Sequence, residues 1–462
     1  MRRFHFLPVL LVLAACTSAE EGAVGAADAA ATEPDGVASA TDLGAPGAAE
    51  DVPTAVDTGS PSNDLADPAP DASDAPEPSM QDVAAEDVAP PEGDAELPDV
   101  SPAGDAEPAL DANPPKTIAE QCFPGVQAPG EKAPVYDPFA PVMGSHCFGT
   151  NHQDITGVQQ VVFIGDSVTV GTPNDEHLIP TENDHYYRNR LTEWLATHFN
   201  LDKGNLLDYG AWKSWDYIGF SGKGMKQVSG AFSNCSKWGA RTDDLLTQLG
   251  ECFPTGTTDK KTLVVFTMGG NDVAALTQAG GDATPEEVAA GYPEAWKLTQ
   301  RTIEHLEAAM VWLKDPARFP NGVYVVFANP FEFTDGTGVT SACKPAQIEI
   351  PFIGAFDLSQ IDVNMAQVAG FKDWVNKEIQ KEMVVWMLEQ YMRIATQYQV
   401  DLMLMLENFC GHGYVATGPN ADPENRCYKG PDAALWFDIT CFHPSEAGHA
   451  GIAAMFQAVI EE

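Results

Sequence analysis

The sequence predicts an α/β fold over residues 117–462: a three-layer α/β/α sandwich around a parallel sheet of about five strands. Strand-like and helix-like segments alternate along this part of the chain, as they do where helical crossovers join parallel strands. The strand-like segments are short and largely apolar, and the first, residues 161–164, is wholly so, which suits strands buried on both faces. Two polar signatures, Gly165-Asp166-Ser167 and Gly270-Asn271-Asp272, each follow such a run closely. That is the carboxyl end of a strand, where open α/β sheets bind ligands.

In order, the first strand is Val161-Val162-Phe163-Ile164. Helical spacing then covers residues 187–199, and a strand at about 206–209 makes five in all. Residues 262–268 form a second buried strand. A helix follows from about Pro285, with Thr284 and Glu287 as a capping box and proline at its first position. Residues 323–328 and 402–406 give two more strands. Between them, residues 371–398 read as one long amphipathic helix, with Trp374, Val375, Leu388, Tyr391 and Met392 apolar. The last helix covers residues 444–460.

The rest of the chain is different in kind. The net charge is −42, from 25 basic and 67 acidic residues. From Thr17 to Pro115 there are 24 acidic residues and no Lys, Arg, aromatic residue or Cys. Such a segment cannot bury enough surface to offset chain entropy, so residues 16–116 read as a disordered, extended tether. Its Asp-Val and Asp-Ala pairs lack the spacing and turn glycine of a Ca²⁺ loop. The acidic balance excludes ordinary nucleic-acid binding and electrostatic docking on anionic lipid.

Residues 1–15 read as a targeting segment: Met1-Arg2-Arg3, then an apolar run too short to span a membrane. Leu13-Ala14-Ala15-Cys16 resembles the lipobox of bacterial lipoproteins, which implies lipidation of Cys16 and a membrane anchor in the cell envelope. Thr17 and Ser18, with no Asp, imply the outer membrane by the same resemblance. The eight later cysteines are an even number in an exported domain, as four disulfides require, although their pairing cannot be read. Cys-x-x-Cys spacing is absent, so no zinc site or other cofactor is expected.

A serine hydroxyl needs a base to become nucleophilic. His443 is the candidate base for Ser167, and a carboxylate on its second nitrogen would fix the tautomer. The oxyanion of acyl transfer needs amide donors, which a glycine loop and Asn271 can supply. Order and spacing sharpen this reading. Phe163-Ile164-Gly165-Asp166-Ser167, Gly239-Ala240-Arg241-Thr242, Gly269-Gly270-Asn271-Asp272 and His443-Pro444-Ser445 resemble the four blocks of the SGNH, or GDSL-type, esterases and lipases. The segment from Cys441 to His449 is similar to phospholipase-B-like members. The resemblance spans about residues 155–460 and implies a flavodoxin-like sheet. It implies Ser167 as nucleophile and His443 as base. The oxyanion donors would be the Ser167 and Gly239 N–H groups and the Asn271 amide.

In that family the acid stands three residues before the histidine. Here that residue is Thr440, and the nearest carboxylate is Asp438. Asp438 is the candidate acid, through a reshaped loop; a backbone carbonyl on the ring is the other possibility. The expected activity is hydrolysis of carboxylic esters of lipids or acylated glycans. A non-catalytic carbohydrate-binding or adhesion lipoprotein is the alternative. His449 falls on another helix face from His443 and reads as structural, and His412 as part of a turn. His177 and His185 read as part of a solvated acidic loop rather than a metal site. Trp212, Trp215, Tyr217, Phe220, Phe232 and Trp238 would line a substrate site or pack an inserted loop.

Overall fold

A computed structural model of the chain describes residues 116–124, 126, 132–139, 143, 145–171, 185–204, 230–343, 347–350, 354–357, 365–438 and 440–462. The targeting segment, Cys16, almost all of the tether and the strand expected at 206–209 lie outside the described residues. So do His177, Trp212, Trp215, Tyr217 and Phe220.

Among the described residues the first element is α1 (Ile118–Cys122), and the chain enters the sheet at β1 (Gln160–Gly165). It continues through α2 (Ser167–Val170), α3 (Tyr187–His198), β2 (Phe232–Asn234), α4 (Leu245–Cys252), β3 (Thr262–Thr267) and α5 (Gly270–Gly281). Then come α6 (Pro285–Ala289), α7 (Pro293–Leu313), β4 (Val323–Ala328) and an antiparallel hairpin of β5 (Gln347–Ile350) and β6 (Gly354–Asp357). The chain finishes with α8 (Met365–Val368), α9 (Lys377–Tyr398), β7 (Asp401–Met403), α10 (Met405–Phe409) and α11 (Glu446–Glu461). Among the described residues, no helix is long and apolar enough to cross a membrane.

The main sheet is parallel, five-stranded, and ordered β2-β1-β3-β4-β7. Its fifth strand is β2, a three-residue piece whose Phe232 stands opposite Val161. Alternate residues of each strand face opposite sides. Val162, Ile164, Val264, Phe266, Val325 and Phe327 pack in one core with Leu249 of α4, Leu306 of α7 and Tyr391 of α9. Val161, Phe163, Leu263, Val265 and Val326 pack in the other with Leu191 of α3 and Phe456 of α11. Burying each such side chain stabilises the fold by roughly 1.5–3 kcal/mol. The three layers therefore follow from the two apolar faces of the strands.

Three expected elements end differently. The helix expected from Pro285 stops at Ala289 and restarts at Pro293. Gly291 and Tyr292 both take positive φ between them, which breaks the helical path. The strand expected at 402–406 is Asp401–Met403, and α10 begins at Met405. Asn329 Oδ1 accepts the Met405 N–H at 2.6 Å and the Leu406 N–H at 3.0 Å, drawing the chain off the sheet. The helix expected from residue 371 starts at Lys377, where the Asn376 side chain accepts from the Ile379 N–H. Trp374 lies before it, stacked on Tyr292 at 4.5 Å, with its indole N–H on the Thr277 carbonyl. Its apolar character serves that contact rather than a helix face.

All eight described cysteines pair, as Cys122–Cys147, Cys235–Cys252, Cys343–Cys441 and Cys410–Cys427.

Candidate active site

Strands β1 and β3 run in register to their ends, with Gly165 opposite Thr267. Their following turns therefore leave the sheet side by side. Gly165 has φ +132°, and a Cβ there would meet the Thr267 carbonyl, so only glycine fits. Gln248 of α4 completes its pairing, accepting the Gly165 N–H at 2.7 Å and donating to its carbonyl at 2.9 Å. Asp166 caps α2 by accepting the Val168 N–H at 3.0 Å, and also accepts from the Thr267 hydroxyl at 3.2 Å. Burial pushes its carboxyl up to about 7.

Ser167 thus stands at the first position of α2, 5% exposed. Its Oγ lies 2.8 Å from His443 Nε2, across 276 residues of sequence. His443 is 2% exposed, and burial pushes its imidazole down to about 3. At neutral pH the ring is therefore uncharged, as a base must be.

His443 is held by a tight loop. The Asp438 N–H donates to the His443 carbonyl at 2.9 Å, and the Cys441 N–H to the Asp438 carbonyl at 3.0 Å. Cys441 takes φ +73° and is bridged to Cys343. The group at His443 Nδ1 is the Thr440 hydroxyl, at 3.0 Å. Thr440 Oγ1 in turn donates to Asp438 Oδ1, which also accepts the Thr440 N–H at 2.8 Å. Asp438 therefore meets the ring through Thr440. The sequence reading weighed a carboxylate or a carbonyl here and missed the hydroxyl. The available signal was Thr440's own place, three residues before the histidine.

The second and third blocks are tied together. Asn271, in the first turn of α5, donates through Nδ2 to the Ala240 carbonyl at 2.9 Å. Buried Asp272 accepts the Thr242 N–H at 3.1 Å and its hydroxyl at 2.8 Å, and the Thr302 hydroxyl of α7 at 3.2 Å. These bonds fix the loop carrying Gly239, whose φ is +70°. Asp166, Ser167, Gly270, Asn271 and His443 line one crevice. Its other walls are apolar, from Val273, Pro330, Phe331, Phe333, Phe371 and Phe442 among others. Gly239 is not one of the lining residues.

Of the described histidines, His449, His412 and His185 do not line the crevice. His449 accepts the Tyr187 N–H through Nδ1 at 3.3 Å and packs between Tyr186 and Tyr187. His412 stacks on Trp436 at 3.7 Å. His185 pairs with Glu446, which also holds Arg190. Trp238 donates to the Gly171 carbonyl at 2.9 Å, and Phe232 packs in the core. No cluster of metal-ligating side chains occurs among the described residues.

A buried serine–histidine pair at the strand ends of a doubly covered parallel sheet is the arrangement of an α/β serine hydrolase. The family described as GDSL-like lipase/acylhydrolase matches residues 161–456. The chain belongs to that family and is a GDSL-type serine ester hydrolase. No curated protein matches the chain. Among solved structures, it is similar to an extracellular lipase from Streptomyces rimosus. That match has 16% identity and a TM-score of 0.33, covering 65% of this chain and 100% of that one. It is also similar to phospholipase A1 from Streptomyces albidoflavus NA297, at 13% identity and TM-score 0.33, covering 65% and 99%. A third is a gut microbial diltiazem-metabolizing enzyme, at 13% identity and TM-score 0.34, covering 67% and 49%.

Proposed function

We propose that the protein hydrolyses carboxylic esters through an acyl-enzyme on Ser167, with His443 as general base. The carrying observation is the 2.8 Å contact between Ser167 Oγ and Nε2 of a buried, neutral imidazole. Ser167 Oγ attacks the ester carbonyl while His443 Nε2 takes its proton. The oxyanion is met by the Ser167 and Gly239 N–H groups and by Asn271 Nδ2. His443 then returns the proton to the leaving alcohol. Water repeats the sequence on the acyl-enzyme and frees the acid and Ser167.

The crevice beside Ser167 supports an apolar acyl group. Phe331, Phe371 and Phe442 can bury methylene groups, each contributing about 0.8 kcal/mol. Lipid esters and acylated glycans both present such a group. A fluorophosphonate probe should label the parent at Ser167, and p-nitrophenyl butyrate should be cleaved faster than the acetate. A folded parent that takes no label and cleaves neither ester would instead be a binding module.

The protein is proposed to work in the bacterial cell envelope, lipid-anchored at Cys16 in the outer membrane. Support comes from the charged start, the short apolar run and the Leu13–Cys16 pattern. Cys16→Ser should release the protein from the membrane fraction or block its maturation. A Cys16→Ser protein that matures and fractionates like the parent would remove the anchor from this reading.

A further inference from the structure

The Thr440 hydroxyl lies at the centre of three polar contacts, and proton counting fixes its direction. A hydroxyl has one proton and two lone pairs. Oγ1 is 3.0 Å from His443 Nδ1, 3.2 Å from the His443 backbone N–H, and bonded to Asp438 Oδ1. The backbone N–H can only donate, and Asp438 Oδ1 is an acceptor, since it also takes the Thr440 N–H. The Thr440 proton therefore points at Asp438, and its lone pairs face the backbone N–H and Nδ1–H. All three contacts are then satisfied. The ring carries its proton on Nδ1 and leaves Nε2 bare towards Ser167.

The geometry points to Thr440 as the positioning residue for His443, filling the place of a carboxylate, with Asp438 setting which way the Thr440 hydroxyl faces. This rests on the Ser167–His443 reading above. No proton travels along the chain of three groups. When Ser167 attacks, its proton goes to Nε2, the Nδ1 proton stays on the ring, and Thr440 remains a neutral acceptor. Were Asp438 absent, the hydroxyl could turn and donate to Nδ1. The ring proton would then sit on Nε2, and Ser167 would lose its base. A wrong tautomer of this kind costs about 10⁴-fold in a triad hydrolase.

A neutral hydroxyl also stabilises the imidazolium less than a carboxylate would. Among the described residues, the titratable groups near His443 are Asp166 from the β1–α2 turn, His449 from α11, and Asp438 in its own loop. None is a carboxylate bonded to the ring in the contacts described. A carboxylate placed at position 440 would supply that missing charge.

The test compares Thr440→Ser, Thr440→Val, Thr440→Asp and Asp438→Ala with the parent. It reads kcat and KM for p-nitrophenyl butyrate against pH, with fluorophosphonate labelling and circular dichroism. Thr440→Ser should stay within a few-fold of the parent. Thr440→Val should lose about 10²–10⁴-fold in kcat with KM little changed. Asp438→Ala should lose activity in the same sense while remaining folded. Thr440→Asp should stay active and move the acid limb of kcat/KM upward by about 1–3 pH units, as a carboxylate beside an imidazolium does. A residue 440 that did not face the ring would leave that limb unmoved. An active parent whose folded Thr440→Val variant keeps its kcat overturns the proposal alone. An unmoved limb in active Thr440→Asp overturns it as well, and decides the matter if Thr440→Val does not fold. A folded parent that neither labels nor turns over overturns both this proposal and the reading beneath it.

Discussion

Ser167→Ala should abolish nearly all ester hydrolysis, and adding His443→Ala to it should cost almost nothing more. The two side chains share one hydrogen bond, 2.8 Å long, in a site where both are buried. Without the hydroxyl, the imidazole has no proton to take. Without the imidazole, the hydroxyl stays a poor nucleophile. Groups that act as one unit give losses that do not multiply. Each single variant should fall by about 10⁴–10⁶-fold in kcat, leaving what the oxyanion donors and binding supply. The measurement is kcat for p-nitrophenyl butyrate on Ser167→Ala, His443→Ala and the double variant, with circular dichroism as the folding control. A double variant whose loss is the product of the two single losses would mean that they act separately.

Asn271→Ala should cost less but still about 10²–10³-fold in kcat, the effect of losing one oxyanion donor. An amide carries two N–H donors. One of Asn271 goes to the Ala240 carbonyl at 2.9 Å, which leaves the second for the crevice that Asn271 lines. Substitution by alanine removes both, so the Gly239 loop loses a tie as well as the oxyanion a donor. Asn271→Asp also removes both N–H groups but keeps the size of the side chain, so it separates the loss of the donors from the loss of packing. Both variants should show the kcat loss with KM little changed, since the oxyanion forms only after binding. A folded Asn271→Ala protein within a few-fold of the parent would exclude the amide from the oxyanion site.

The parts of this molecule that were legible in its sequence are those set by burial on both faces. β4 is found where its apolar run stands, at Val323–Ala328, and β1 and β3 differ from their runs only at the ends. Because parallel strands align their carboxyl ends, Ser167 and Asn271 were readable as neighbours despite their separation. β2 was not readable. Phe232–Asn234 holds only one apolar side chain, and its place follows from pairing with β1. Trp374 misled for a related reason: an apolar residue at helical spacing can equally serve a tertiary stack. Thr440 was hidden by chemistry. A threonine does not announce an electrostatic role, and its use depends on a neighbour two residues away and on a fold that buries both. Disulfide partners depend on distances in space that spacing along the chain does not carry.

The pairing has a consequence for how the protein is assembled. Cys410–Cys427 closes a ring across 17 positions, inside the ring across 98 positions closed by Cys343–Cys441. Four thiols can join in three ways, and only one of these makes the nested pair. The short ring forms with the smaller loss of chain freedom and, once closed, withdraws both of its thiols from the competition. Among these four thiols, Cys343 and Cys441 are then left with each other. Closing Cys410–Cys427 thereby removes two of the wrong partners open to the bridge beside His443.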